Sequence, residues 1–423
     1  MGPRELLLDS FRAALSAADP LAIVPKHLPP PPRGRTVVVG AGKAAASMAH
    51  AVEEHWPKGC ALEGVVITRY GHGLPLSRIR VVEAGHPVPD EQGEAAAREI
   101  LALARSLTPD DLLLVLVSGG GSSLLSLPVE TVSMQELKAV TRMLLASGAP
   151  IQDMNVVRKH LSRIQGGQLA ASTRAKVLAL VISDVTGDDP THVASGPCTP
   201  DPTTYADALD VLARHHVEAP AAVAAHLARG ARGEIAETPK PGDPAVSHAE
   251  TRVIATAHAS LAAAAAFVQH RGIAPMVLGD SVTGESCEVA KVYAALARQV
   301  RHHSHPFRPP VALISGGETT VTLRGKGRGG RCTEFLLSLA VALEALPDTW
   351  ALACDTDGID GSEDNAGAIL TPDALERAKS LGLQPRRMLA DNDGYGFFSA
   401  LGELVVTGPT RTNVNDFRVI LVR

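Results

Sequence analysis

The strongest constraint on this chain is a pattern of short β-branched or leucine-rich runs. All but the last end in Gly, Ser, Thr or Asp, and most lead into alanine-rich helical sequence. The runs are Thr36–Val39, Val65–Thr68, Leu112–Val117, Val177–Ser183, Val253–Thr256, Pro275–Leu278, Val311–Ser315, Trp350–Cys354, Leu404–Thr407 and Arg418–Val422. Runs without polar alternation suit parallel strands covered on both faces. Strand–helix alternation over 423 residues, about three times the ~150 residues expected per domain, predicts two α/β domains. Each is expected to have three α/β/α layers around an interdomain cleft. The first sheet should be Rossmann-like and parallel. The second should be mixed, because almost no helix separates the last two runs. The Gly-, Pro- and charge-rich segment 230–250 sets the boundary, giving domains 1–235 and 236–423.

Composition narrows the function classes. A net charge of -5 argues against a nucleic-acid partner, and 3% aromatic residues supply few stacking platforms. Five widely spaced cysteines without a C-x-x-C pair suit a reducing compartment. The N-terminus has no signal-peptide core, and the uncharged stretch 112–129 is interrupted by S-G-G-G-S-S. A cytoplasmic protein is expected, without a membrane partner and with a homodimer allowed.

In open α/β sheets ligands sit beyond the carboxyl ends of strands, and there this chain places glycines and carboxylates. The turn V-V-V-G-A-G-K-A-A-A contains Gly40, Gly42 and Lys43 and matches G-x-G-x-x-A. Its amides are expected to face an anion, with Lys43, one of only ten lysines, aimed at it. The acidic ribose partner of a dinucleotide site is missing, and Arg69 lies there instead. The loop V-S-G-G-G-S-S, with Ser118, Gly119, Gly120, Gly121 and Ser122, forms a second nest for a carboxylate or phosphate. Neither a Walker A loop nor G-x-S-x-G occurs there. Asn155, Arg158, Lys159 and Arg163 form a cationic stripe at helical spacing, ending in Gly166-Gly167.

Asp184, Asp188 and Asp189 follow a buried run and could hold Mg²⁺ or accept a hydroxyl proton. Gly316, Gly317 and Glu318 open a segment continuing through Lys326 to Arg331, and Asp355, Asp357, Asp360 and Asp364 share a later loop. The last such turn carries Thr412, Asn413, Asn415 and Asp416. His86 and His192 lie in loops after candidate strands. Anion-accepting turns, isolated cations and acid clusters together suit phosphoryl transfer, which needs positioning and charge more than a covalent nucleophile.

The motifs V-V-G-A-G-K-A, L-V-S-G-G-G-S-S-L-L, N-V-V-R-K-H-L-S-R-I-Q-G-G, I-S-D-V-T-G-D-D-P, A-S-G-P, S-G-G-E-T-T-V-T, G-R-G-G-R, D-T-D-G-I-D-G and T-G-P-T-x-T-N-V-N-D span nearly the whole chain. In this order they resemble the two-domain glycerate 2-kinases with a C-terminal MOFRL domain, some of which are labelled hydroxypyruvate reductases. The resemblance implies ATP- and Mg²⁺-dependent phosphorylation of the 2-hydroxyl of D-glycerate. It implies Lys43 and Arg331 as principal catalytic cations. Many relatives continue that arginine with N-Q-E, whereas this chain has Cys332, Thr333 and Glu334.

On this reading Lys43, Arg331 and Asp189 are catalytic, and Asp184 and Asp188 hold the metal. Ser118, Gly119, Gly120, Gly121, Ser122, Arg158 and Lys159 bind glycerate. Gly40, Gly42, Gly316, Gly317, Glu318, Lys326, Asp355 and Asp357 bind the nucleotide. The alternatives are an NAD(P)H-dependent hydroxypyruvate reductase, resting on the G-x-G-x-x-A turn and Arg69, and a non-catalytic sugar-phosphate-binding regulator.

Overall fold

A computed structural model describes residues 1–423. The chain divides into two compact units, one of Pro20–Ile254 and one of Met1–Asp19 with Ala255–Arg423. In the first, strands β1 (Thr36–Ala41), β2 (Leu62–Arg69), β3 (Ile79–Ala84), β4 (Leu112–Val117), β5 (Lys176–Ile182) and β6 (Ala249–Ala255) form a sheet in the order β3-β2-β1-β4-β5-β6. β3 through β5 are mutually parallel. β1 and β4 are fully buried, as their unbroken apolar runs require. The helix Glu91–Arg105 shows how the crossovers are specified. Asp90 caps it by accepting the Gly93 N–H, and its buried positions recur at helical spacing from Gly93 to Ala104.

This order has a switch point, since β1 leads to β2 and β3 while β4 leads the other way. Ala41 pairs with Val117, so the loops leaving β1 and β4 emerge side by side. A ligand is expected between such loops.

In the second unit β7 (Ala274–Gly279), β8 (Val311–Ser315), β9 (Thr349–Asp355), β10 (Gly367–Leu370), β11 (Leu404–Val405) and β12 (Asp416–Val422) form a mixed sheet ordered β11-β10-β9-β12-β8-β7. Only the β7–β8 pair is parallel. Its two faces carry separate cores, Leu313 facing Phe335 and Phe398, and Ile314 facing Phe11 and Leu261. The helix Pro3–Ala17 contributes Leu6, Leu7, Phe11 and Ala14 to the latter core.

The sequence boundary at 235/236 therefore differs from the structure. The run at Val253–Thr256 falls at the end of β6, beside β5, with the Val177 N–H bonded to the His248 carbonyl. The N-terminal helix joins the second unit because its apolar stripe packs there. Two strands escaped the pattern. Arg80 and Glu83 interrupt edge strand β3, and β10 has only four residues. No helix is long and apolar enough to cross a membrane.

Candidate active site

The β1 and β4 loops lock together. A Cβ at Gly42 would lie 2.1 Å from Ser118 Oγ, and one at Gly40 1.9 Å from the Leu116 carbonyl oxygen. The Gly42 amide donates to Ile67 O, Lys43 to Gly119 O at 2.8 Å, Ala44 to Ser118 Oγ at 3.0 Å, and Ala45 to Gly42 O. This corrects the expectation of an amide cradle at Gly40 and Gly42. Their small size seats one loop on another, and the turn's donors are already engaged. Ser118 is fully buried as the acceptor that pins this turn, so it does not present its hydroxyl to a substrate.

The open donors lie one loop away. The amides of Gly119, Gly120 and Ser122 have no partner in the protein, and Gly120 reaches its φ of +80° because it lacks a Cβ. A methyl at Gly120 would meet the His86 ring at 2.9 Å and Lys43 Cγ at 3.5 Å. Gly121 packs against Ala194, and Ser195 Oγ lies 2.9 Å from Ser122 Oγ and 3.1 Å from Asn155 Oδ1. Ala194 and Ser195 both hold left-handed φ values, of +50° and +58°, a strained arrangement that concentrates at functional loops.

Cations surround these amides. Arg158 has no carboxylate partner; its side-chain hydrogen bond is to Asn155 Oδ1, at 3.4 Å, and burial pulls its pKa down to about 10. The Arg69 side chain is also without a carboxylate. Burial, then the charges of Lys43, Arg69, His72 and Arg158, lower the pKa of His86 to about 3. Buried cations are normally paired, so Arg158 and Arg69, which have no carboxylate, suit this loop to an anion.

The cationic stripe does not form. The helix ends at His160, so Arg163 lies beyond it and pairs with Glu130 at 3.5 Å. Lys159 is 1% exposed and bonded to buried Asp201 at 3.3 Å. It is a core ion pair, which corrects its assignment to substrate. Only Asn155 and Arg158 reach the β4 loop's surroundings.

After β5, Asp184 and Asp188 are half-buried and Asp189 is exposed. Burial would raise the Asp189 pKa, but hydrogen bonds from Thr191, whose amide donates at 2.8 Å, bring it below the ordinary value. No group of three or more His, Cys, Asp or Glu side chains is arranged to hold a metal. A kinase Mg²⁺ needs fewer, because it uses one or two carboxylates together with substrate phosphates and water. Asp184 and Asp188 fit that requirement.

In the second unit Arg331 opens the helix Arg331–Leu343 and gathers three acids. Nε meets Asp416 at 2.8 Å, Nη2 meets Asp355 at 2.7 Å and Nη1 meets Glu318 at 3.2 Å. Burial opposes its charge, yet Asp416, Asp355 and Glu318 more than compensate and raise its pKa. Arg418, fully buried, holds the other oxygen of Asp416 at 2.5 Å. Asp360 accepts the Cys332 and Thr333 amides at 2.9 Å each. It thereby anchors the helix start, although burial pushes its own pKa up to about 6.

Several nucleotide assignments change with this geometry. The Gly316 N–H donates to Gly279 O, and a Cβ at Gly317 would lie 2.4 Å from the Val282 backbone. These glycines admit a neighbouring loop. Asp355 and Asp357 are buried, and Asp355 accepts both Arg331 and the Asp357 amide. Asp355 orients the arginine, and the Asp357 amide holds Asp355. Glu318 and Lys326 remain exposed. His86 and Arg69 carry no sequence signal beyond their places after candidate strands. The left-handed backbone of the A-S-G-P motif and the arginine partners of Asp416 leave no mark in residue order.

Glu334 is buried, and Asn392 donates to its Oε1 at 3.3 Å while accepting the Arg324 and Gly325 amides. Burial raises its pKa to about 7. A folded pKa above the unfolded value near 4.5 means a contribution complete below pH 4.5 and lost as pH rises through 7. Glu334→Gln is therefore expected to stabilise the protein by about 2 kcal/mol at pH 8, after allowance for solvent screening, and by little at pH 4.5. Thermal melts at the two pH values check this.

Comparison with known proteins agrees with this architecture. Residues 6–228 match the family described as Domain of unknown function (DUF4147), and residues 311–416 match the MOFRL family. A protein of Agrobacterium vitis, whose name gives a provisional hydroxypyruvate reductase activity, is 50% identical over 99% of this chain and 94% of its own. The D-glycerate 2-kinase of Thermotoga maritima is 38% identical over 99% of this chain and 98% of its own. The crystal structure of glycerate kinase from Thermotoga maritima superposes with a TM-score of 0.87, at 38% identity, over 99% of both chains. With both family segments in order and full-length similarity to a glycerate kinase, the chain belongs to the DUF4147–MOFRL glycerate kinase family.

Proposed function

We propose that the protein is an ATP-dependent glycerate 2-kinase, transferring the γ-phosphoryl of ATP to the 2-hydroxyl of D-glycerate to give 2-phosphoglycerate. The observation that carries this reading is the anion site of the first unit. Three unpaired amides, two arginines without carboxylate partners and Lys43 surround one strand-end loop. Phosphoryl transfer needs such fixed positive charge and little covalent chemistry.

Arg158 would grip the glycerate carboxylate through its guanidinium fork, with Ser122 and the Gly119 and Gly120 amides completing the seat. Lys43 would meet the transferring phosphoryl. Asp184 and Asp188 would hold Mg²⁺, which supplies charge neutralisation to the phosphate oxygens when bound. Asp189 adds negative charge beside them. Arg331 is the second proposed catalytic cation. Its Nη1 partner Glu318 is exposed, so that contact is the one most easily exchanged for a phosphate oxygen. Lys326 is proposed to contact the nucleotide from the same glycine-rich segment. The five free cysteines suit a reducing compartment, and a cytoplasmic location is proposed.

A coupled ADP assay with ATP and D-glycerate should show turnover. Arg158→Ala should raise the glycerate KM by about 30- to 100-fold, the loss of a charge-assisted hydrogen bond of ~2–3 kcal/mol, and leave kcat within a few-fold. Absence of ADP formation would refute the kinase reading.

The relative at 50% identity keeps an NADPH-dependent hydroxypyruvate reductase as the second reading. The turn that would cradle a dinucleotide has its Lys43, Ala44 and Ala45 amides engaged internally, which counts against it. NADPH oxidation with hydroxypyruvate, followed at the nicotinamide band, should stay at background.

A further inference from the structure

We propose that His86 is the general base of this phosphoryl transfer, taking the 2-hydroxyl proton of glycerate as that oxygen attacks the γ-phosphorus. The proposal rests on the kinase reading above. His86 follows β3 by two residues, and its loop folds back onto the β4 turn. A methyl at Gly120 would lie 2.9 Å from both Nε2 and Cδ2, so the ring lies against the open amides and Lys43. A side chain at residue 120 would exclude the imidazole from this position.

Neither ring nitrogen of His86 has a hydrogen-bond partner, and the side chain is half-buried, open to a ligand. Two other buried histidines are tied down at one ring nitrogen, while His192 Nδ1 is buried without a partner. His160 Nδ1 bonds to Val156 O, and His226 Nδ1 to Thr131 Oγ1. Among the nearby acids, Asp189 is bonded by the Thr191 amide and is a weakened proton acceptor. His86 is the uncommitted ring that lies directly against the open amides of the carboxylate seat.

The surroundings set when it becomes basic. Lys43 from the turn after β1, Arg69 from the end of β2, His72 just beyond it, and Arg158 from the helix Ile151–His160 all face the ring. Burial and these charges keep the imidazole neutral, its accepting form, throughout the physiological range. A glycerate carboxylate on Arg158 and a triphosphate at Lys43 would bring negative charge to this cluster. The ring's proton affinity then rises only in the ternary complex. In the step, the 2-hydroxyl O–H breaks and its proton passes to the imidazole. The oxygen's lone pair forms the new P–O bond, and the bond to the β-phosphate oxygen breaks with its electrons leaving on ADP. The imidazolium then releases the proton to solvent.

Histidine NMR of the intact wild-type protein tests this without any variant. Alone, His86 should show no titration above pH 5. With D-glycerate and a non-hydrolysable ATP analogue its midpoint should rise by at least two pH units. In steady-state kinetics His86→Gln, or His86→Asn if the first fails to fold, should lower kcat by about 10²- to 10³-fold. The glycerate KM should stay within about threefold, and the acid limb of the kcat profile should disappear. Asp189→Asn should retain that limb. A His86 midpoint unmoved by ligands, or a folded His86 variant with wild-type kcat and pH profile, would overturn the assignment. An inactive wild-type protein would instead overturn the kinase reading itself.

Discussion

Replacing Arg331 by alanine is expected to lower kcat roughly a thousandfold and to destabilise the fold by about 3–5 kcal/mol. The two effects share one cause. Glu318, Asp355 and Asp416 converge on this guanidinium, and the latter two are almost wholly buried. Without it their charges face one another in a low-dielectric setting, with Arg418 left to serve Asp416 alone. The stability deficit should shrink as pH falls, because protonation removes the uncompensated charge. Thermal melts from pH 8 to pH 4, together with the ADP assay, check both parts. A variant with wild-type melting behaviour would show that the three acids do not depend on Arg331.

Lys43→Ala should have the largest purely catalytic effect, a fall in kcat of roughly a thousandfold, or ~4 kcal/mol of transition-state stabilisation. The fold should tolerate it. The backbone amide that ties the turn to Gly119 remains, and the side chain is only half-buried. The glycerate KM should change by less than about threefold, since Arg158 and the loop amides bind the carboxylate. This separates Lys43 from Arg158, whose loss acts on KM.

Much of the fold was legible because buried parallel strands require continuous apolar runs. β1, β4, β5 and β8 all coincide with such runs. β3 was hidden because an edge strand tolerates Arg80 and Glu83. The split was misplaced because β6 adds to the first sheet from beyond a Gly/Pro-rich segment, a long-range pairing invisible to local composition. In the site, glycine spacing correctly marked the loops, but not the job of each glycine. Gly42 and Gly317 clear space for a neighbouring backbone or side chain, whereas Gly120 opens a turn whose amides stay free.

Residue order alone determined that strand ends would carry glycine turns, cations and acids, because those features follow from apolar periodicity and turn chemistry. Tertiary structure decided which of the charges are available. Lys159 and Arg158 are adjacent in sequence, yet one is buried against Asp201 and the other has no acid to meet. Asp201 lies more than forty residues away, and only folding brings it to the lysine. A side chain's capacity to bind a ligand depends on whether the fold has already supplied its counter-charge, and that is a property of three-dimensional neighbours.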